Sequence, residues 1–338
     1  MNRKCIELRA DTMEHGGNLH DAKARFPKAP EPWIDLSTGI NPRAYPVPPL
    51  DPEIFHRLPS PQQVRACERI AAQAYGVGDP ECLVAAAGSQ ALIGLLPRLR
   101  PPGRVAIIGP TYSEHELSWS RHGHRVLSMA DLDAALAAQA DVIVVVNPNN
   151  PDGRVIPSQR LADAAQLLAT RGGWLVIDEA FADLEPGHSV AGGSLANTIV
   201  LRSVGKAYGL AGLRLGFAVA WPAQAQAIRD NLGPWAVSGP ALALGSQALA
   251  DQAWLSAERS RLSRASHRLD ALLHRAGFEL IGGTCLFRLA RHEVAAQYFE
   301  RLAGCGIWVR SFAFDPALLR FGIPKEEEWN RLEKAISD

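Results

Sequence analysis

The sequence predicts an α/β protein: a large domain built on a mostly parallel seven-stranded sheet with helices on both faces, plus a smaller C-terminal α+β domain. Three observations predict it. Short apolar runs alternate with helical stretches between residues 82 and 220. From about residue 223 this alternation of apolar runs and helical stretches stops. A chain of 338 residues with 47% hydrophobic content is also larger than one hydrophobic core usually accommodates.

The strands of the large domain are predicted from apolar runs that lack polar–apolar alternation. Such runs are typical of strands that helices cover on both faces, as in parallel sheets. Helical patterns between the runs lie near 64–76, 90–99, 114–121, 131–139 and 158–171. The seven predicted strands are Cys82–Ala87, Val105–Gly109, Arg125–Met129, Val142–Val146, Trp174–Ile177, Ile199–Arg202 and Leu215–Ala220.

Two boundaries divide the chain. Residues 1–40 are punctuated by proline and glycine and are predicted to form an extended arm, and residues 41–222 form the large domain. Residues 223–338 are predicted to form a connecting helix and the small domain, because Ala241–Ala276 contains no strand candidate. The strands predicted after it are Phe278–Ile281, Cys285–Leu289, Ile307–Arg310 and Leu318–Phe321.

Composition and charge narrow the functional classes. Lys+Arg and Asp+Glu both number 35, which argues against nucleic acid or a membrane surface as partner. No run approaches the roughly 20 apolar residues of a membrane span, and residues 1–11 carry too many charges for a secretory signal. The five cysteines are scattered without a C-x-x-C motif, which indicates reduced thiols and a cytoplasmic protein.

Lysine usage singles out one residue. Lys206 is the only lysine between residues 29 and 324, although Lys and Arg together number 35. A coding bias toward arginine explains the scarcity of lysine. Since arginine neither forms an imine nor readily releases its proton, the lysine kept in mid-chain is a candidate for chemistry.

Polar residues follow four of the predicted strands, where ligands bind in open α/β sheets. Gly88-Ser89-Gln90 is either a helix cap or a turn that binds phosphate. Residues 147–153, Asn-Pro-Asn-Asn-Pro-Asp-Gly, are either a tight turn or part of a site. Asp178 is either a helix-capping residue or an anion that faces a cationic ring nitrogen.

The fourth strand end carries Lys206, three residues after Ser203 and eight before Arg214. One interpretation is a solvated surface amine. The other is a buried amine among Gly, Ala and Leu residues, whose pKa burial lowers from about 10.4. A neutral amine of this kind is the nucleophile that a Schiff base requires.

As an ordered set, these motifs resemble those of the fold-type I pyridoxal 5′-phosphate (PLP) enzymes, specifically the class I/II aminotransferase superfamily, over roughly residues 34–325. The resemblance implies that Lys206 forms a Schiff base with PLP and that Asp178 keeps the ring nitrogen protonated. It implies that Asn150 hydrogen-bonds the phenolic oxygen and that Tyr112 stacks on the ring. The implied phosphate site consists of Gly88, Ser89, Gln90, Ser203 and Arg214.

Further positions follow or depart from the family pattern. Arg320 matches the arginine that holds the substrate α-carboxylate as a bidentate fork. Leu58, in Arg-Leu-Pro, stands where relatives carry a tyrosine that reaches the cofactor phosphate of the partner subunit. Gly205 stands where serine or threonine often precedes the lysine. A homodimer with shared sites is nevertheless expected from the resemblance.

The arm narrows the resemblance further. It carries His15-Gly-Gly-Asn, and residues 35–42 read Asp-Leu-Ser-Thr-Gly-Ile-Asn-Pro. In combination these resemble the L-threonine-O-3-phosphate decarboxylase group of cobalamin biosynthesis, which forms (R)-1-aminopropan-2-yl phosphate from an amino acid phosphate. The resemblance implies an arm folded over the active site. The residues it implies for substrate binding are His15, Asn41, Arg310 and Arg320.

Several alternatives stay open. Arg310 is equally well explained as an edge-strand surface charge. An aminotransferase of the histidinol-phosphate or aromatic type would use the same residues, because only the orientation of the Cα bonds distinguishes the two reactions. A non-catalytic ligand-binding domain is the alternative of another class. No metal site is expected, since His122 and His124 lack a third ligand and are more often surface residues.

Overall fold

The structure, a computed structural model, describes residues 16–193 and 195–337. Its strands form three sheets, of seven, four and two strands. The strands are β1 Ile34–Asp35, β2 Leu83–Ala86, β3 Arg104–Ile108, β4 Arg125–Met129, β5 Val142–Val146, β6 Trp174–Asp178, β7 Thr198–Ser203, β8 Gly216–Val219, β9 Glu279–Thr284, β10 Phe287–Arg291, β11 Ile307–Trp308, β12 Arg310–Ser311 and β13 Leu318–Gly322.

Helices connect these strands and cover the large sheet on both faces. The α-helices are α1 Leu19–Arg25, α2 Glu53–His56, α3 Pro61–Tyr75, α4 Ser89–Leu95, α5 Glu114–Arg121, α6 Leu132–Ala137, α7 Ser158–Ala169, α8 Val204–Ala207, α9 Pro222–Leu232, α10 Gly239–Ala250, α11 Gln252–Arg275, α12 Ala295–Gly304 and α13 Trp329–Ser337. None of the helices in the described part of the chain is long and apolar enough to cross a membrane.

The large sheet contains all seven predicted strands, in the order β2-β8-β7-β6-β5-β3-β4. It is mostly parallel, and only β8 runs antiparallel to its two neighbours. Strand β5 shows why the apolar runs do not alternate, since Ile143 and Val145 enter one core cluster while Val142 and Val144 enter the other. Both faces are therefore buried, and the carboxyl ends of β5, β6 and β7 lie side by side.

The small domain contains the antiparallel sheet β12-β13-β10-β9, and helix α11 leads into it. Its remaining strand, β11, pairs in parallel with β1 from the arm, with Ile34 opposite Ile307. The arm is therefore built into the small domain by a strand that the sequence did not predict.

One prediction about helices was wrong and a second is refined by the structure. The arm is not wholly extended, because Asn18 caps α1 by accepting a hydrogen bond from the Asp21 N–H at 3.2 Å. The region Ala241–Ala276 forms two helices rather than one. The break falls at Asp251, whose carboxylate accepts from the Trp254 N–H at 2.9 Å and so starts α11.

Candidate active site

A cavity of about 150 Å³ lies at the carboxyl ends of β5, β6 and β7. Most of the residues predicted for the site line it, although they come from segments far apart in the chain. The lining residues are Ser89, Gln90, Tyr112, Val146, Asn150, Asp178, Ala180, Phe181, Ser203, Lys206 and Arg214.

Lys206 projects into this cavity from α8, the short helix that follows β7. Burial, followed by the charge of Arg320, lowers the pKa of its amine, and the charge of Asp178 opposes both effects, so that the pKa falls from 10.5 to about 8. The amine nitrogen lies 5.6 Å from the centre of the Phe181 ring. A substantial fraction of the amine is therefore neutral near physiological pH, as a nucleophile requires.

Asp178 ends strand β6 and is 3% exposed. Its Oδ1 accepts a hydrogen bond from the Ala180 N–H at 3.0 Å, and its Oδ2 lies 3.0 Å from Nε2 of His115, which is 1% exposed. The sequence analysis missed His115. Helical spacing gave no signal for it, because Tyr112 precedes α5 and only His115 lies on the helix.

Replacing His115 by phenylalanine is expected to weaken PLP binding about 10- to 100-fold, because a hydrogen bond to a buried charged group contributes about 1.5–3 kcal/mol. Titration of the apoprotein with PLP, followed by visible absorbance, measures this affinity. The exposed His122, replaced by alanine, serves as control. Affinity within twofold of wild type in the phenylalanine variant would show that Asp178 does not depend on His115.

The part of the cavity at Arg214 carries a positive charge and is closely packed around two glycines. Arg214 adopts a left-handed backbone with φ +53°, and a Cβ atom at Gly88 would lie 3.0 Å from its guanidinium nitrogen. Gly216 is packed more tightly still against the start of α4, since a Cβ at Gly216 would lie 2.5 Å from the backbone nitrogen of Ser89. Side chains are excluded at both glycines, which leaves a cradle bordered by Arg214 and by the hydroxyls of Ser89 and Ser203.

Tyr112 is held by a chain of side-chain hydrogen bonds. Its hydroxyl donates to Oε1 of Gln90 at 3.0 Å, and Nε2 of Gln90 donates to Oε2 of Glu114 at 3.0 Å. Burial, followed by the charge of Glu114, raises the pKa of Tyr112 to about 12. Tyr112 therefore stays neutral near pH 7, and its ring is fixed at the cavity wall.

Arg320 lies behind Asn150, at the side of the cavity toward the small domain. Its guanidinium donates to Oδ1 of Asn150 and to the carbonyl oxygen of Ser37, the latter at 2.7 Å, while its buried Nε has no partner among the described residues. Arg310 stands opposite Arg320 in the pairing of β12 with β13. Burial first, then the charge of Arg310, lowers the pKa of Arg320 to about 10.

Other predicted residues lie away from the cavity. Asn41 is 2% exposed and uses its side-chain amide to bind the carbonyl oxygen of Ala207 and the carboxylate of Glu258. The structure thus does not bring Asn41 to the cavity that it was expected to serve. Leu58 is 66% exposed, and His15 lies outside the described residues.

Two further expectations concern single positions. A side chain at Gly205 would place its Cβ 3.0 Å from the Cα of Ala211, so the backbone there would have to shift slightly to accept the usual serine or threonine. His124 was expected on the surface, but it is buried. It accepts a hydrogen bond from the Gly103 N–H at 3.2 Å and packs edge-on against Trp119, which explains it as a structural residue.

Comparisons with known proteins agree with this geometry. The chain matches the family described as aminotransferase class I and II over residues 49–336. It is 46% identical to a threonine-phosphate decarboxylase from Sinorhizobium sp. over 94% of this chain and 95% of that protein. It is 42% identical to a threonine-phosphate decarboxylase from Pseudomonas aeruginosa, over 96% and 97% of the two chains.

A solved structure extends the comparison to the fold. Histidinol-phosphate aminotransferase from Sinorhizobium meliloti, in complex with pyridoxal 5′-phosphate, superposes with a TM-score of 0.81 at 22% identity, covering 100% of this chain and 98% of that one. The predicted fold class is confirmed, as is the prediction of a PLP-dependent enzyme. The chain belongs to the aminotransferase class I and II family.

Proposed function

We propose that this protein decarboxylates L-threonine O-3-phosphate with PLP as cofactor, releasing carbon dioxide and (R)-1-aminopropan-2-yl phosphate. The pair formed by Arg310 and Arg320 carries the proposal; it lies next to the cavity, where Arg320 donates to the lining residue Asn150. A substrate with a carboxylate and a phosphate ester needs two cationic groups, and guanidinium forks suit both anions. The names of the two similar relatives support the same substrate.

The residues present fit PLP. When bound, PLP supplies an aldehyde carbon that condenses with amines and a protonated ring that accepts the electron pair left when a bond to Cα breaks. Lys206 and Asp178 lie in one cavity as the amine and the anion that this group requires, and Asn150 and Tyr112 lie beside them. The cradle at Gly88 suits the phosphate, because Arg214 and two hydroxyls border a space that no side chain fills.

The side chains of the protein then have separate tasks. Asp178 provides the negative charge that stabilises a cationic ring nitrogen, and His115 holds that carboxylate in place. Arg320 binds and orients the substrate carboxylate through its guanidinium, whose buried Nε has no hydrogen-bond partner in the described part of the chain. The amine of Lys206 has a pKa of about 8, so it can take up a proton at Nζ from the substrate ammonium group and deliver a proton to the substrate Cα after carbon dioxide has left.

Incubation of the PLP-loaded protein with L-threonine O-3-phosphate tests this function, with product identified by mass spectrometry and carbon dioxide measured with and without 2-oxoglutarate. Carbon dioxide release independent of 2-oxoglutarate supports the decarboxylase. Glutamate formation that requires 2-oxoglutarate, without carbon dioxide, would replace the proposal by an aminotransferase. No turnover and no spectral change with either substrate would favour a ligand-binding domain.

We also propose that the protein is a homodimer. Three large apolar side chains between residues 47 and 58 are exposed in the single chain, namely Val47, Phe55 and Leu58, at 60%, 65% and 66%. Exposed apolar side chains in one segment are typical of an interface. Sedimentation equilibrium is expected to give twice the chain mass of 36.5 kDa, and a single-chain mass would contradict the proposal.

A further inference from the structure

Residues 34–45, which we call the strap, connect the small domain to the segment that carries Lys206. At the small-domain end, the N–H of Leu36 donates to the carbonyl oxygen of Trp308 at 2.7 Å. The carbonyl oxygen of Leu36 in turn accepts from the N–H of Gly322, also at 2.7 Å. The strap is thus fixed between β11 and the end of β13.

At its other end, the strap binds the carboxyl end of α8. The backbone N–H of Asn41 donates to the carbonyl oxygen of Lys206 at 3.0 Å, and its side-chain Nδ2 donates to that of Ala207 at 2.9 Å. A helix of four residues cannot satisfy its last carbonyl groups internally. Asn41 therefore acts as a cap for α8 from a position more than 160 residues earlier in the chain.

The side chain of Asn41 has no hydrogen-bonding capacity left over. Its Nδ2 also donates to Oε2 of Glu258 at 3.1 Å. Its Oδ1 accepts from the Arg43 N–H at 3.0 Å and from the guanidinium of Arg261 at 2.7 Å. An amide with two donors and two acceptor sites is then saturated, so only one orientation of this buried side chain is favourable.

Glu258, on the connecting helix α11, is the residue that binds the side chain of Asn41. It is 1% exposed, although carboxylates are rarely buried without compensation. Arg43 lies 3.1 Å from its Oε1, and Arg261 lies 2.8 Å from its Oε2. The reaction proposed above makes no use of this buried charge, and its neighbours are the residues that orient Asn41.

The strap and the lysine segment are in direct backbone contact. The N–H of Tyr45 donates to the carbonyl oxygen of Tyr208 at 2.8 Å. A Cβ at Gly209, which has φ +65°, would lie 2.7 Å from the Cα of Ala44. The two segments therefore cannot slide against each other, and a displacement of the strap displaces α8 as well.

We propose that Asn41 is a positioning residue for Lys206, and that Glu258 holds Asn41 in the orientation that caps α8. The inference rests on the proposed function only in taking Lys206 as the reactive amine. Asn41 acts through the backbone that sets the direction of the lysine side chain. Loss of this cap allows α8 to shift, and Nζ then leaves its buried position.

The test uses Asn41→Ala, Asn41→Asp and Glu258→Gln. Asn41→Asp keeps the size of the side chain and its acceptor oxygen but removes both Nδ2 donors. Glu258→Gln keeps the shape and removes the charge. Asp270→Asn is the matched control, because Asp270 also lies on α11 and binds Arg288 at 2.6 Å without touching the strap.

The readout is the reactivity of Lys206 in the apoprotein, by reductive methylation with formaldehyde between pH 7 and pH 10. Peptide mass spectrometry separates Lys206 cleanly, because no other lysine lies between residues 29 and 324, and Lys325 and Lys334 normalise the reagent. In the wild type, methylation of Lys206 is expected to reach half its maximum near pH 8. Asn41→Ala and Asn41→Asp are expected to slow it about tenfold at pH 7.5, since a more solvated amine regains a higher pKa.

Glu258→Gln is expected to slow methylation of Lys206 about threefold, which corresponds to a rise of roughly half a unit in the pKa of Lys206. Asp270→Asn is expected to leave the methylation rate within twofold of the wild type. With PLP bound, the Asn41 variants should lower kcat while leaving KM nearly unchanged, because the substrate contacts remain. If Asn41→Ala does not fold, the two isosteric variants decide the question.

Methylation of Lys206 in Asn41→Asp and Glu258→Gln that matches the wild type across this pH range would overturn the positioning role and leave the proposed function intact. A wild-type midpoint near the ordinary lysine value would also overturn the positioning role, because Lys206 would then be solvated without any substitution. The proposed function fails on a different result, the absence of carbon dioxide release from L-threonine O-3-phosphate, so the two failures are distinguishable.

Discussion

Replacing Lys206 by alanine is expected to lower the rate of L-threonine O-3-phosphate decarboxylation about 10³-fold or more, since one group supplies both the nucleophile and the proton carrier. The structure supports this because Lys206 is the only lysine among the described residues that lines the cavity, and its pKa is lowered to about 8. The rate of carbon dioxide release measures the loss. The visible absorbance band of bound PLP should disappear in the same variant.

Two further variants sharpen the test. Lys206→Arg keeps a positive charge at the same place but cannot form a Schiff base, so it should be as inactive as Lys206→Ala. Lys325 is exposed and does not line the cavity, and Lys325→Ala should retain wild-type activity. Activity of Lys206→Ala within tenfold of wild type would show that another group performs the chemistry.

Arg202→Met is expected to lower the free energy of unfolding by about 3–5 kcal/mol, because it leaves two buried carboxylates unpaired. Arg202 donates to Oε2 of Glu179 at 2.7 Å and also forms an ion pair with Asp183. All three side chains are at most 5% exposed, and the Tyr75 ring lies 4.3 Å from the guanidinium carbon. Equilibrium urea unfolding of the apoprotein measures the loss.

The matched control is Arg160→Met. Arg160 pairs with Asp133 on the surface, where such pairs contribute about 0–1 kcal/mol. Adding Asp183→Asn to Arg202→Met should recover part of the loss, since it removes one of the unpaired charges. A loss below about 1 kcal/mol for Arg202→Met would mean that solvent reaches these carboxylates after the substitution.

This ion-pair cluster also has a geometric role. Glu179 follows Asp178, and Arg202 precedes Ser203, so these two partners of the cluster are chain neighbours of residues that line the cavity. Adjacent residues of a strand point to opposite faces of the sheet. The cluster therefore joins the ends of β6 and β7 behind the site, while the cavity residues project in front.

The seven strands of the large sheet were predictable because burial on both faces leaves a purely apolar run, as in Val142–Val146. The short arm strand Ile34–Asp35 was not, because two residues carry no periodicity and its pairing partner lies more than 270 residues away. Helix α1 was hidden by the surrounding glycines and prolines, although Asn18 is a standard cap.

In the site, sequence patterns located residues at or just after the ends of strands, such as Asp178 and Lys206, because their place follows from the topology of the sheet. Patterns could not locate His115 or Phe181, which reach the site from the sides of a helix and a loop. The environment of Asn41 could not be predicted from the sequence either, because Glu258 contacts Asn41 only in the folded chain. Which segment packs against which is tertiary information.

The pairing of β1 with β11 has a consequence for dissecting the protein. Trp33, Ile34 and Leu36 are each at most 9% exposed and belong to the same core as Ile307 and Trp308. An excised fragment that begins at residue 223 would lack these side chains and expose the edge of β11. The small domain is thus formed by two separate segments of the chain. A soluble fragment of it would need the strap, residues 34–45, fused to the C-terminal segment.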